Sequence, residues 1–246
     1  MAYKLYYYDI RGGAEPIRMI LSYGGVQFED IRAPMFPLPP KLPKEIKESK
    51  EQSVLFYFGN NNTSNVFVTV EGFGHETTWG TIPLMEFEGK KLNQSLTISR
   101  YFAKKFDLAG SNDFEAALCD EYVDTLIDYI KQVQSDDVNN YAAWLPILME
   151  QDEVKRKGLE QEQKVKCKEQ YMDKFEKIVN DNGGRFLVGN KLTWADIYLA
   201  HVLNSGELNH GVRFIDEYPA LKALHDNVMR TPGIKEWMAK RPHTKL

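Results

Sequence analysis

The chain has 246 residues, 43 % of them hydrophobic and 27 % charged, enough for one large or two small domains that bury a core without disulfide staples. Lys+Arg is 31 and Asp+Glu is 35, so the formal net charge is −4, a poor match for a phosphate backbone, and nucleic acid is not an expected partner. No apolar run reaches the roughly 18 residues of a membrane-spanning helix, the opening segment has no long apolar core of a signal peptide, and the only cysteines, Cys119 and Cys167, exclude a disulfide scaffold or a Cys-rich zinc site; the cytosol is the expected compartment.

Tyr3 to Tyr8 is short and aromatic, as strands are. It runs into Asp9-Ile10-Arg11-Gly12-Gly13, a turn with two glycines. A helix follows, with Glu15 and Pro16 in its first turn, Ile17, Ile20 and Leu21 on its apolar face and Gly24-Gly25 at its end. Val26 to Ile31 alternates as a second strand, which completes a β-α-β unit. Residues 34–78 read differently. Five of the eleven prolines fall between Pro34 and Pro43, which excludes a helix there, and Lys44 to Gln52 is charged. Val54–Phe58 and Asn65–Val70 read as strands joined by a turn over Asn60 to Ser64, so a β-hairpin is expected within this insert.

Regular patterning returns with a strand from Pro83 to Phe87, a turn at Glu88-Gly89-Lys90 and a short strand at Lys91-Leu92. Gln94-Ser95 then opens a helix, with Ser as a preferred start and Ile98, Tyr101, Phe102 and Phe106 on one side. Beyond the link Leu108 to Ser111 the helical period dominates, with helices expected near 113–135, 154–180, 193–209, 218–230 and 233–240. Thr193-Trp194-Ala195-Asp196 reads as a capping box. The expected organisation is a small α/β domain over 1–107 followed by an all-helical domain over 111–246.

Nucleotide-binding glycine loops, H-E-x-x-H and G-x-S-x-G are absent, and the five histidines show no metal-ligand spacing. Three other features stand out: an aromatic strand ending in tyrosines beside a glycine turn, the Ile82-Pro83 pair at the head of a strand, and Gln94-Ser95 at a helix start. A helix start offers free N–H groups to a carboxylate. A cis X-Pro bond exposes the backbone of residue X to an extended peptide. A nearby phenol can donate to a sulfur anion. On a thioredoxin-like framework these features converge, and together they suit a small acidic peptide carrying a thiol.

The run Tyr3 to Arg18 (YKLYYYDIRGGAEPIR) resembles the opening of sigma-class glutathione S-transferases, the class that includes hematopoietic prostaglandin D synthase. Gln94 to Tyr101, Asp124 to Asp128, Leu192 to Asp196 and the tail Lys240 to Leu246 are similar to the same class, so the resemblance covers residues 1–33 and 79–246. It implies a thioredoxin-like domain followed by a helical one and glutathione as co-substrate, in a cytoplasmic homodimer that conjugates or isomerises hydrophobic electrophiles. The resemblance places the catalytic hydroxyl at Tyr7, with Tyr6 and Tyr8 as rivals on the opposite strand face. Lowering a thiol pKa from about 8.5 to about 6.5 takes roughly 2.7 kcal/mol, and one hydrogen bond to a charge supplies about 1.5–3 kcal/mol. By the same resemblance Gly80, Thr81, Ile82, Gln94 and Ser95 hold glutathione, and Asp128, one turn from Asp124, reaches the glutathione of a neighbouring subunit. Tyr8, Ile10, Gly13 and Ile130 would line the electrophile site.

Three positions depart from the class. Gly13 stands where the prostaglandin D synthase has arginine, which implies a roomier pocket. Ile127 stands where it has an acid of a divalent-cation site, so no metal is expected. The insert replaces the segment that supplies a tryptophan and a lysine to the glycyl end of glutathione, for which Trp79, Lys41 and Lys44 are the candidates. The insert also favours the alternative of a non-catalytic, crystallin-like binding protein.

Overall fold

The computed structural model describes residues 2–33, 54–56, 66–68, 77, 79, 81–133, 150–210 and 214–244. Strand β1 (Tyr3–Tyr8) is the centre from which the first half is built. A single turn of 3-10 helix at Gly12–Ala14 leads into α1 (Glu15–Tyr23), and β2 (Phe28–Ala33) returns parallel to β1. The expected start of β2 at Val26 shifts to Phe28, because the Val26 N–H still bonds the Leu21 carbonyl at 3.0 Å and closes the end of α1.

Two short strands, β3 (Val54–Phe56) and β4 (Val66–Val68), pair antiparallel as a separate two-stranded sheet. The Pro34–Pro43 stretch, the charged segment that follows it and the turn expected at 60–64 lie outside the described residues. Strands β5 (Leu84–Phe87) and β6 (Lys90–Asn93) then complete a four-stranded mixed sheet in the order β2-β1-β5-β6. Helix α2 (Ser95–Lys105) closes this half.

The second half is helical: α3 (Asp113–Val133), α4 (Glu153–Cys167), α5 (Asp173–Asp181), α6 (Trp194–His210), a 3-10 turn at Phe214–Glu217, α7 (Pro219–Arg230) and α8 (Ile234–Lys240). The single helix expected over 154–180 is two, joined by a π turn at Lys168–Met172. The wider turn re-phases the chain, so that Tyr171, Met172, Phe175 and Val179 are buried while Val154 and Val165 stay exposed. The Asp196 carboxylate accepts from the Thr193 N–H and hydroxyl and from the Leu187 N–H, at 2.7–2.8 Å, and pins the start of α6.

One core spans both halves, because α1 is enclosed nearly all round by the sheet, α2, α6 and α8. Its apolar stripe (Ile17, Ile20, Leu21) is buried as its spacing predicts, but Glu15 and Arg18 are also buried, both at 0 % exposure. His201 on α6 faces this charged cluster, and burial pushes its pKa down to about 4 from 6.5. The unfolded chain therefore takes up a proton between these values that the native state refuses, so stability falls as pH drops through that window. Lowering the pH from about 7 to about 5 is expected to cost the wild type roughly 2 kcal/mol more than a His201→Gln variant, checked by urea unfolding at both pH values.

Candidate functional site

The site is built around the turn that follows β1. The Asp9 N–H bonds the Ala33 carbonyl at 2.8 Å, extending the strand ladder by one residue before the chain bends. Gly12 then takes φ +40°, a conformation that favours glycine, and brings the Gly13 N–H back onto the Tyr7 hydroxyl. That N–H donates to Tyr7 Oη at 3.2 Å. A β-carbon at Gly12 would lie 2.9 Å from Tyr7 Oη and 3.3 Å from Ile10 Cδ1. The chain can close this tightly only because no side chain is there.

The start of α2 meets the same turn. A β-carbon at Gly13 would lie 3.3 Å from Ser95 Oγ and 3.8 Å from Tyr7 Oη. Tyr7, Ile10, Gly13 and Ser95 are thus brought together, and at its first carbon position 13 is closely packed rather than roomy. Ser95 is the first residue of α2 and not its cap. The cap is Gln94, with φ +75° and no side-chain capping bond, which leaves both side chains available at the helix start.

Tyr7 is half-buried. Burial pushes its pKa up, against the opposing effects of the Gly13 N–H and of Arg18. The phenol is therefore neutral at physiological pH, its oxygen already accepts one hydrogen bond, and its own proton is free to be donated outward. The two rivals are placed differently. Tyr6 donates to Glu86 Oε2 at 2.9 Å. Tyr8 is 5 % exposed, its ring lies edge-on to Tyr7 at 5.6 Å, and burial followed by the effect of Tyr7 raises its pKa to about 12.

The Ile82–Pro83 peptide bond is cis. Asn93, the last residue of β6, donates through Nδ2 to the Thr81 carbonyl at 2.8 Å and to the Pro83 carbonyl at 3.3 Å, so it holds the backbone on both sides of Ile82. Sequence reasoning missed this residue; its only local signal is its place directly before Gln94-Ser95. Asp124 and Asp128 lie on the exposed face of α3, and Asp128 sits 3.8 Å from Lys131. Ile130 is half-buried against the core, and Trp79 is 71 % exposed. Gly80, Lys41 and Lys44 lie outside the described residues. Among the described residues no cluster of three or more His, Cys, Asp or Glu is arranged to hold a metal ion, and no helix is long and apolar enough to cross a membrane.

Residues 136–241 match the family model "Glutathione S-transferase, C-terminal domain". The solved structure of a prostaglandin synthase D of Nilaparvata lugens superposes with a TM-score of 0.69 at 31 % identity, covering 99 % of this chain and 100 % of that one. The chain belongs to the glutathione S-transferase family. Among curated relatives, glutathione S-transferase 3 of Caenorhabditis elegans is 29 % identical over 244 residues, covering 99 % of each chain. A monomeric glutathione S-transferase of the hookworm Necator americanus is similar with a TM-score of 0.71 at 29 % identity, with both chains fully covered.

The Gly12 contact generates a test of the site's construction. Gly12→Ala places a methyl 2.9 Å from the hydroxyl at a positive φ. It is expected to destabilise the fold by about 1 kcal/mol or more and to lower catalytic efficiency on the order of 100-fold through displacement of Tyr7, checked by urea unfolding and steady-state kinetics with glutathione. Wild-type activity in this variant would show that the turn does not set the position of Tyr7.

Proposed function

We propose that this transferase binds glutathione at the Tyr7 turn, stabilises its thiolate through the Tyr7 hydroxyl and passes it to hydrophobic electrophiles. The thiol proton leaves to solvent and the sulfur forms a bond to the electrophilic carbon; in a substitution the leaving group departs with its bonding pair, and in an addition the broken π bond's pair moves to the conjugated neighbour, which takes up a proton from solvent. An isomerisation follows the same route when the sulfur is later expelled. The observation that carries this reading is the Tyr7 hydroxyl itself: its oxygen is held by the Gly13 N–H, its proton is uncommitted, and it approaches the same point as Ser95 Oγ at the start of a helix.

The remaining roles follow from that placement. Ser95 and Gln94 at the helix start suit the γ-glutamyl carboxylate, supported by the free N–H groups there. Thr81 and Ile82, fixed by Asn93 around a cis bond, suit backbone pairing with the cysteinyl residue, and Gly80 continues that approach. Ile10 and Gly13 line the electrophile side next to Tyr7, with Tyr8 behind it and Ile130 on α3 as the fourth member. A sigma-type, cytoplasmic homodimer with a detoxifying role fits the same reading, supported by the buried free thiol of Cys119 and by Asp128 standing exposed on α3, where a neighbouring subunit's glutathione could meet it. Sedimentation of the purified protein reads the oligomeric state directly.

Tyr7→Phe tests the central claim. The spectroscopic pKa of bound glutathione is expected to rise by about one to two units, and catalytic efficiency near neutral pH to fall about 10- to 100-fold, as the loss of one hydrogen bond to a charge implies. Glutathione affinity stays close to wild type, because Ser95 and the Ile82 backbone are untouched. An unchanged thiol pKa in this variant overturns the assignment.

A further inference from the structure

The charge arrangement behind Tyr7 has no counterpart in the glutathione contacts themselves. Arg18 on α1 is 0 % exposed, and its Cζ lies 5.9 Å from the centre of the Tyr7 ring. Its Nη1 donates to the Ile10 carbonyl at 3.0 Å and to the Arg11 carbonyl at 3.3 Å, the two residues that enter the glycine turn. Its Nε pairs with Asp30 at 3.0 Å, and its Nη2 is buried with no acceptor among the described residues. Arg11, 4 % exposed, has all three guanidinium nitrogens buried without an acceptor among the described residues.

Counting charge around this region gives an excess of one sign. Arg11, Arg18 and Arg241 face the single buried carboxylate of Glu15. Asp30, at the edge, is shared between Arg18 and Arg32, and Arg32 also pairs with Asp9 at 3.0 Å, so four guanidinium groups stand against three carboxylates. The other titratable groups against the cluster stay neutral: burial holds the His201 pKa at about 4, and the Tyr8 and Tyr198 phenols are both pushed above their ordinary value by burial. Buried guanidinium groups lacking partners are costly, and the cost is reduced when a negative charge forms nearby. A thiolate bound at the Tyr7 hydroxyl is such a charge, and in a water-poor setting it feels the cation more strongly than it would in bulk solvent.

We propose that Arg18 is a positioning residue for thiolate formation, acting through Tyr7: it fixes the Ile10–Arg11 backbone and supplies a buried positive charge behind the phenol ring that favours the ionised sulfur. This inference rests on the reading that Tyr7 activates glutathione.

The test is the spectroscopic pKa of glutathione bound to the full-length protein, compared across three variants. Arg18→Met is expected to raise that pKa by about half to one unit, and Arg18→Lys, which keeps the charge, to restore most of the shift. Asp30→Asn removes the counter-charge on Arg18 while keeping the side chain's shape, and is expected to lower the thiol pKa by a smaller amount. Opposite signs are the diagnostic result, because mere loosening of the turn raises the pKa in both variants. Asp30→Asn also stands alone if Arg18→Met does not fold. A thiol pKa that stays fixed in Asp30→Asn, or rises there, overturns the role of Arg18 while leaving Tyr7 in place. A wild-type complex whose thiol titrates like free glutathione overturns both readings.

Discussion

Glu15 accepts three hydrogen bonds in a setting with no exposure to solvent: from Arg18 Nη1 at 3.2 Å, Trp237 Nε1 at 2.9 Å and Arg241 Nη1 at 2.7 Å. Burial alone would push its carboxyl up, but the two guanidinium groups and the indole outweigh it and hold the pKa below the usual carboxylate range. The carboxylate sits two residues after Gly13, so the geometry of the glycine turn is tied to α8, whose Trp237 is 222 positions away in the chain. A charge removed from water in this way is costly unless it is paired. The helical half therefore braces the turn of the α/β half.

Main-chain features frame the proposed site: the Gly13 N–H that holds Tyr7, the backbone around Ile82 and the start of α2, fixed by a glycine turn, a cis bond and a helix end. Side chains act mostly from behind. Asn93 braces the carbonyls next to Ile82, and Arg18 braces those of Ile10 and Arg11. Tyr7 is held by a neighbouring N–H rather than left to rotate. Such bracing limits the reorganisation required when the thiolate forms.

Local features were readable from the residues. The aromatic strand, the glycine turn, the Ile82-Pro83 pair and the Thr193–Asp196 cap each declare themselves within a few positions, because their chemistry is settled by neighbours in sequence. What escaped depends on distant packing. Nothing near Glu15 or Arg18 shows that α1 is covered on its polar side by α8, and an acid and a base three apart read as an ordinary surface pair. Asn93 reads as a turn residue until the cis bond is folded against it. Ser95 reads as a cap, yet Gln94 takes that place through a positive φ that its own side chain gives no hint of.

The wide turn at Lys168–Met172 separates two rotational phases within what is otherwise one rod. Upstream, α4 runs along solvent with Val154 80 % exposed; downstream, Phe175 and Val179 lock into the core. Because a π turn holds one residue more than an α turn, dropping a residue there would restore uniform winding and carry the mismatch into one of the two flanks. Length changes confined to the solvent-facing flank would instead end at the wide turn. The helix thus contains a place where sequence drift on its outer half is absorbed before it can rotate the anchors of the inner half.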